Sequence, residues 1–505
     1  MVFLLAYTAD MRFRPTVTIF FLALAVFGVI HAVPGFGDPD AYYHLEMAKL
    51  TAASGPVRVF EWLPFTTLSG HYADQHFLYH LALIPFLTVF GDFLGLKIAT
   101  VCFAALAMAA FAWMLGVYGV RRPWLWTLPL LVSTGFLFRL LLTKASALAL
   151  VAFFLFLGCL KLKNRVAIFC IAFAYVWLHG GWPILMIAAL VHAIVRRDWR
   201  TPLLVVGGLT AGFVINPFFP ANLAFDWEQI VQIAVIGNHD PSVQVGNEWY
   251  PMELGRLLVE NAVIFLAIFA AFVRLGSMIY EKVTPPDVSD ARRRDIACIT
   301  ALAIFFLLMT LRQARQKEYF LPLALFVGAL LGDALLLDTR ATFDRLHVWA
   351  GKWFRPLLVS SVAFVTLLSL HGVWYARKLY VARTPFTHFA AVGAWTRTHV
   401  PAGEIIFHGA WDDFPYVFYR DVTHRYIAGM DPMFFYRNDP AKYWLWRDIG
   451  DGRRRNPSDL ILNDFHARYV FTRRAHDALR PIIEKDPSVE RVYADDEAEV
   501  WKITR

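Results

Sequence analysis

Asp38 and Asp40, joined by Pro39, open the densest run of functional groups in this 505-residue chain: Gly37-Asp38-Pro39-Asp40-Ala41-Tyr42-Tyr43-His44-Leu45-Glu46. The run follows directly on the first long apolar segment, Thr16 to Val33. Charges this dense beside a bilayer are costly unless they face water or have a task. An acid facing a membrane cavity can act as general base on an incoming hydroxyl, or ligate a divalent cation through oxygen. Pro39 fixes its own backbone angle and favours an extended Asp38. A helix is expected from Ala41, with Asp40 as its N-cap.

Further groups with chemical potential recur along the chain. His71, Asp74, His76 and His80 have the spacing of metal ligands, since residues i and i+4 share a helix face; an interfacial helix with its polar groups among lipid headgroups is the competing reading. Asp74 is a second candidate acid. Arg139 and Lys144, and the run Arg312-Gln313-Ala314-Arg315-Gln316-Lys317-Glu318, put positive charge where apolar runs end. Arginine there suits a phosphate, which it can bind bidentately. Asn247-Glu248-Trp249-Tyr250-Pro251 combines a carboxylate with rings that suit sugar stacking or a membrane interface. His179 sits in His179-Gly180-Gly181 at the end of an apolar run, where a helix-end role competes with ligand binding.

These groups must be positioned by membrane helices. The chain is 58% hydrophobic and only 17% charged, and its mean hydropathy is +0.48. A soluble protein of this length carries more charge. The net charge of +8 is spread in short basic clusters between apolar runs, which argues against nucleic-acid binding. Cys102, Cys159, Cys170 and Cys298 all lie in apolar runs, so no disulfide framework or paired-cysteine metal site is expected.

Lysine and arginine between the runs set the topology. Arg12 and Arg14 place the N-terminus in the cytoplasm, and no clear cleavage site follows, so the first apolar run is an uncleaved helix. Phe77–Gly91 has 15 residues, short of the roughly 20 a span needs. If it does not cross, the clusters at Arg121-Arg122, Lys161 to Arg165, Arg196 to Arg200, Glu281 to Asp295 and Arg340 to Lys352 all fall on the cytoplasmic side. The expected spans then include Pro129–Leu142, Ala147–Leu160 and Leu257–Val273. This gives an α-helical polytopic protein of the cytoplasmic (inner) membrane, with about 11 spans and one re-entrant or interfacial helix, Phe77–Gly91. The acids, histidines and cations named above, with His239-Asp240, then gather on the outer side, as around a water-filled cavity.

Residues 1–374 form the expected membrane domain, with a first outside loop over 34–96. Residues 375–505 lack long apolar runs and form an expected extracytoplasmic α/β domain. Strands are read at Glu404–His408, Tyr416–Tyr419, Arg468–Thr472, Val489–Tyr493 and Glu499–Ile503, with helices over Thr387–Thr398 and Ala475–Glu484.

The acidic first loop, the many spans, the outside cations and the C-terminal domain together resemble the GT-C glycosyltransferase superfamily. Asp38-Pro39-Asp40-Ala41-Tyr42-Tyr43-His44 is similar to the first-loop entry of oligosaccharyltransferase catalytic subunits. His179-Gly180-Gly181, Asn216-Pro217, Glu248-Trp249 and Arg312…Arg315…Glu318 are similar to a group of bacterial GT-C-like membrane proteins. The resemblance implies an inverting enzyme that transfers a sugar from a polyprenyl-phosphate-linked donor outside the cytoplasmic membrane. It implies that Asp38 or Asp40 deprotonates the acceptor, and that Arg312, Arg315 or Arg139 holds the lipid phosphate. His44, Asp74, Lys144, His179, Glu248, Trp249 and Glu318 complete the expected substrate site.

Two departures bear on the substrate. The segment Ser133–Ser146 has no second acidic pair, and the Trp-Trp-Asp acceptor motif of oligosaccharyltransferases is absent, Trp411-Asp412-Asp413 being a faint echo. A lipid or glycan acceptor is therefore expected before a protein one. These departures also leave an obligate metal unsupported; a divalent cation, magnesium or manganese, would be ligated by Asp38, Asp40 and Glu248. A transporter or flippase of lipid-linked glycans is the competing class. Transporters usually show two related halves, which this sequence does not.

Overall fold

In a computed structural model, the described residues are 13–235, 242–280, 289–335, 347–348 and 350–504. Arg12, His239, Asp240, Arg340, Arg345 and most of the charged loop from Glu281 lie outside them. The chain forms two compact units: Met1–Val33, Lys97–Gly212 and Asn247–Ala382; and Pro34–Leu96, Phe213–Gly246 and Arg383–Arg505.

The first unit is helical. Asp290–Arg312 packs on Lys317–Leu335 and on Pro183–Arg196, and Ala262–Tyr280 packs on Lys317–Leu335. Phe354–Val381 packs on Phe13–His31 and on Thr134–Leu140. Among the described residues, four helices are long and apolar enough to cross a membrane: Arg14–His31, Phe77–Val117, Asp290–Arg312 and Gly351–Val381. Leu254–Glu260 and Ala262–Val273 make a fifth if they are one span bent by 90°. Ser146–Leu162, Arg165–Leu178, Pro183–Arg196 and Arg200–Val214 are apolar but shorter. The chain is a multi-pass membrane protein.

One expected span is not a continuous helix. Pro129–Leu142 is broken into a 3-10 turn, Leu128–Leu131, and a seven-residue helix, Thr134–Leu140. Ser133 Oγ donates to the Pro129 carbonyl at 2.8 Å across the break. Seven residues rise only about 10 Å, a third of a hydrocarbon core. The break brings Arg139 onto a short helix rather than the end of a long one. The 41-residue helix Phe77–Val117 is interrupted at Gly91, whose φ of 73° and ψ of 175° are non-helical, so the expected segment Phe77–Gly91 ends at a break in the helix.

The second unit carries a five-stranded sheet: β1 (Ile405–His408), β2 (Arg425–Tyr426), β3 (Tyr469–Arg473), β4 (Val489–Ala494) and β5 (Ala498–Ile503), in the order β2-β1-β3-β5-β4. β1 runs parallel to β2 and β3, while β5 is antiparallel to β3 and β4. Phe407, Val470 and Val500 are buried with Ile449, Trp446, Ile461 and Phe465 of neighbouring helices. Tyr416–Tyr419, read above as a strand, lies in the helix Phe414–Arg420. Its aromatic composition suits a strand, but Pro415 takes the first helical turn. Phe414, Val417 and Phe418 are buried at helical spacing. Only Arg480–Ile483 of the expected helix Ala475–Glu484 is helical.

The helix Phe414–Arg420 packs on Asp40–Ser54. Tyr42 lies 4.7 Å from Tyr416 and Tyr43 lies 6.1 Å from Phe418, ring centre to ring centre. Trp62 Nε1 donates to the Val422 carbonyl, and the Tyr426 N–H donates to the Trp62 carbonyl, both at 2.8 Å. The first loop is thus built into the same core as the C-terminal sheet.

Candidate functional site

The candidate residues fall into two groups, one in each compact unit. In the second unit, the helix Asp40–Ser54 begins one residue earlier than expected and Asp40 does not cap it. Pro39 holds the cap position without a side-chain bond. Asp38 supplies the acceptor instead: its Oδ1 takes the Asp40 N–H at 2.9 Å. Asp38 and Asp40 are both partly exposed. Asp40 therefore sits in the first helical turn, where the helix dipole favours a negative charge.

Deeper in this unit the polar groups form chains. Asp74 Oδ2 is 2.6 Å from His80 Nδ1, and His80 Nε2 is 2.8 Å from His44 Nδ1. Asp74 Oδ1 also accepts the His76 N–H at 3.0 Å. Tyr43 and Tyr72 share a hydrogen bond between their hydroxyls at 2.8 Å. His71 is directed elsewhere, to Glu228, which also accepts from Arg437 and Thr67. The metal-like spacing of His71, Asp74, His76 and His80 is thus used for separate ion pairs and hydrogen bonds. Among the described residues, no group of three or more His, Cys, Asp or Glu side chains could hold a metal ion.

In the first unit, Arg139 is the hub. Its guanidinium pairs with Glu248 and, at 3.1 Å, with Glu318. Lys144 lies 3.8 Å and Arg315 3.9 Å from Glu248. The Arg315 guanidinium stacks over Trp249, 4.3 Å from the ring centre, as cation–π attraction favours. Burial would push the Glu248 carboxyl up, but Lys144, Arg139 and Arg315 outweigh it and hold that carboxyl well below the usual carboxylate range. Glu248 is locked among three cations, and their field repels another: it does not fit a divalent-metal ligand. Three cations face two carboxylates here, leaving an excess of positive charge. The Arg139 Nε is buried with no hydrogen-bond partner among the described residues.

Short segments position these groups. Glu248 and Trp249 stand on the 3-10 turn Asn247–Trp249, and Arg315 on Ala314–Gln316. The Ala314 N–H donates to the Tyr250 carbonyl at 2.8 Å and ties the two turns together. Glu318 opens the helix Lys317–Leu335. Arg312 ends Asp290–Arg312 with an exposed side chain. His179 ends Arg165–Leu178, and its Nδ1 accepts the Gly181 N–H at 2.8 Å. A side chain at Gly181 would press on the same nitrogen, so this histidine closes a turn.

Three participants were not singled out from the sequence as site residues. Lys317 pairs with Glu260 at 3.4 Å, and Glu260 also accepts from Arg256 at 2.6 Å. Arg256 and Glu260 share the lining of a cavity of about 340 Å³ with Ser133, Thr134, His371 and Tyr375. Arg256 and Glu260 are one helical turn apart, which is the local signal; pairing with Lys317, 57 residues on, leaves none.

No protein-family model matches the sequence, and no match is found among curated protein sequences. Solved structures do match. The oligosaccharyltransferase of Archaeoglobus fulgidus, solved with a tethered acceptor peptide, aligns over 91% of this chain and 69% of its own, with a TM-score of 0.58 and 12% identity. ArnT from Cupriavidus metallidurans aligns over 96% of this chain and 97% of its own, with a TM-score of 0.56 and 13% identity. The same protein bound to undecaprenyl phosphate gives a TM-score of 0.55 at 14% identity, again over 96% and 97% of the two chains. The arabinofuranosyltransferase AftD from Mycobacteria aligns over 99% of this chain with a TM-score of 0.59 and 16% identity, and this chain spans 40% of its length. The chain has the fold of the GT-C membrane glycosyltransferases.

Proposed function

We propose that the protein is an inverting glycosyltransferase that moves a sugar from a polyprenyl-phosphate-linked donor to a lipid or glycan acceptor on the extracytoplasmic side of the inner membrane. The observation that carries the reading is the partly buried cationic cluster of Arg139, Lys144 and Arg315 around Glu248. An excess of positive charge, with an unpartnered Arg139 N–H, suits a phosphate oxygen. Undecaprenyl phosphate bound to a protein of the same fold supports that choice of ligand.

In this reading Asp40 is the base. It takes the proton of the acceptor hydroxyl as that oxygen bonds to the anomeric carbon of the sugar. The bond from that carbon to the phosphate oxygen breaks, and the polyprenyl phosphate leaves with the electron pair. Lys144, Arg139 and Arg315 stabilise the charge that grows on the phosphate. Glu248 and Glu318 act as counter-ions that hold the cations in place before the donor arrives. Trp249 offers a face for sugar or for Arg315. If a magnesium or manganese ion takes part, Asp38 and Asp40 are the oxygen donors available to it, and Glu248 is not. Residues 375–505 form the extracytoplasmic part together with the first loop, and the N-terminus is cytoplasmic.

Equilibrium binding of undecaprenyl phosphate to purified protein tests the cluster. Arg315→Ala and Lys144→Ala are each expected to weaken binding about tenfold, the order of one charge-assisted contact. Equal affinity in wild type and both variants would remove the phosphate reading of this site.

A further inference from the structure

One segment of the second unit carries its polarity inside out. After the turn at Asn216-Pro217 the chain forms a short helix, Ala221–Asp226, which continues into wider π-helical turns over Trp227–Val235. Asn222 and Glu228 face the protein. Asn222 is 2% exposed and its Nδ2 donates to the Phe213 carbonyl at 3.0 Å. Glu228 is 5% exposed and accepts from Thr67, His71 and Arg437. The outward face carries Leu223, 48% exposed, and Trp227, 59% exposed. These two are four residues apart and share a side of the helix. Phe219, 48% exposed, stands four residues before Leu223.

A helix surrounded by water does the reverse, with charge outside and rings inside. An outward apolar stripe marks an interaction surface, and three observations identify its partner as lipid. First, the stripe continues an apolar surface: Val214 and Ile215, just before it, are 54% and 63% exposed, and Val214 closes the apolar helix Arg200–Val214. Second, the same unit already holds side chains that suit lipid. Val89, Phe90 and Leu94 are exposed on Phe77–Val117, a helix long and apolar enough to cross a membrane. Third, residues 213–235 contain neither lysine nor arginine, so attraction to an anionic partner has no source there, whereas a tryptophan at the end of an apolar stripe suits the level of the headgroups.

We propose that residues 214–227 are a membrane-seating segment, which lays Ile215, Phe219, Leu223 and Trp227 into the boundary between the acyl chains and headgroups of the bilayer. The seat is apolar, so it takes neutral and anionic lipids alike. Its inward side makes it more than an anchor. Glu228 ties it to Thr67 and His71 of the first loop and to Arg437 of the C-terminal part. The lipid surface is thereby linked through one buried carboxylate to both chain segments that build the second unit. This assignment does not depend on the transfer reading above.

The test is photo-crosslinking of the full-length protein in vesicles of radiolabelled phosphatidylcholine. A benzophenone-bearing amino acid replaces Leu223 or Trp227, whose outward side chains tolerate a larger ring. Val359, 67% exposed on the membrane-crossing helix Gly351–Val381, is the lipid control. Glu490, exposed on β4, is the water control. Labelling by lipid at 223 and 227 is expected to match that at Val359, to stand well above that at Glu490, and to stay the same when phosphatidylglycerol is added. Labelling at both positions no greater than at Glu490 overturns the proposal. So does labelling that requires the anionic lipid, or crosslinks that join two copies of the chain in place of lipid. The measurement uses no sugar donor, so a failure to observe sugar transfer would count against the function alone.

Discussion

Asp38 Oδ1 accepts the backbone N–H of Asp40 at 2.9 Å, so the two first-loop acids do different work. One oxygen of Asp38 shapes the start of the helix, and Asp40 stands on its first turn. Asp38→Ala removes that acceptor and is expected to destabilise the protein by about 1 kcal/mol, as loss of a helix-start acceptor does. Asp38→Asn keeps a carbonyl oxygen there and is expected to hold both the melting temperature and most of the transfer activity. Thermal unfolding of the two variants in detergent separates them; equal melting temperatures would show that this hydrogen bond contributes nothing.

Arg139 bridges Glu248 and Glu318, and its side chain is 10% exposed. Arg139→Ala leaves Glu318, 5% exposed, without this partner. Breaking a buried pair on one side costs about 3–5 kcal/mol. Arg139→Lys is expected to recover only part of this, because an ammonium lacks the planar fork that reaches both carboxylates. Differential scanning fluorimetry reads the ordering wild type, Lys, Ala; a melting temperature for the alanine variant equal to wild type contradicts it.

Much of this arrangement was legible in the sequence, and its limits have physical causes. The density of acids at Asp38 and Asp40, and the cations at Arg139, Lys144 and Arg315, could be found because charge beside apolar runs is conspicuous. What they pair with could not, since Arg139 meets Glu248 and Glu318 across 109 and 179 residues. The strands β1, β3, β4 and β5 were close to their read bounds, while β2, two residues long, was too short to signal. The helices Pro432–Asn438 and Pro440–Gly450 went unread although each carries a local signature: Asp431 and Asp439 cap them, with proline following at once. His80 shows the deepest limit. Its spacing from His76 suggests a metal, and only the fold reveals that its partners are Asp74 and His44.

Gly372 supports the short helix that carries Arg139. A Cβ there would lie 2.0 Å from the Val132 carbonyl oxygen, and the Gly372 carbonyl accepts from Thr134 Oγ1 at 3.0 Å. Gly372→Ala forces Phe354–Val381 away from the break before Thr134–Leu140. A cost of roughly 1–3 kcal/mol is expected from such overpacking, with weaker binding of undecaprenyl phosphate. Gly28→Ala, where a Cβ meets nothing within 4 Å, is the matched control. A Gly372→Ala variant indistinguishable from that control in both melting and binding would contradict this packing.

His408 gives the second unit a pH dependence. Burial pushes its imidazole down to about 4, against the ordinary 6.5. Its Nδ1 donates to the Ala410 carbonyl and its Nε2 accepts the Ile427 N–H, so the neutral ring satisfies both partners. The folded value lies below the unfolded one. The unfolded chain therefore takes up a proton first as pH falls, and stability is lost between pH 6.5 and 4. The shift corresponds to about 3 kcal/mol for this buried ring. Hydrogen-exchange protection at β1 and β3, corrected for the pH dependence of intrinsic exchange, is expected to fall over that window in the wild type. The difference between wild type and His408→Gln isolates this contribution from other titrating groups; identical pH profiles would refute it.

The transfer reaction itself is the most direct test of the account. Purified protein is supplied with labelled polyprenyl-phosphate hexoses and a membrane glycolipid extract, and wild type is compared with Asp40→Asn. The account predicts transfer by the wild type and a loss of roughly a hundredfold to ten-thousandfold in the variant, the range of general-base catalysis, with binding of undecaprenyl phosphate retained. Transfer by Asp40→Asn at the wild-type rate would contradict it.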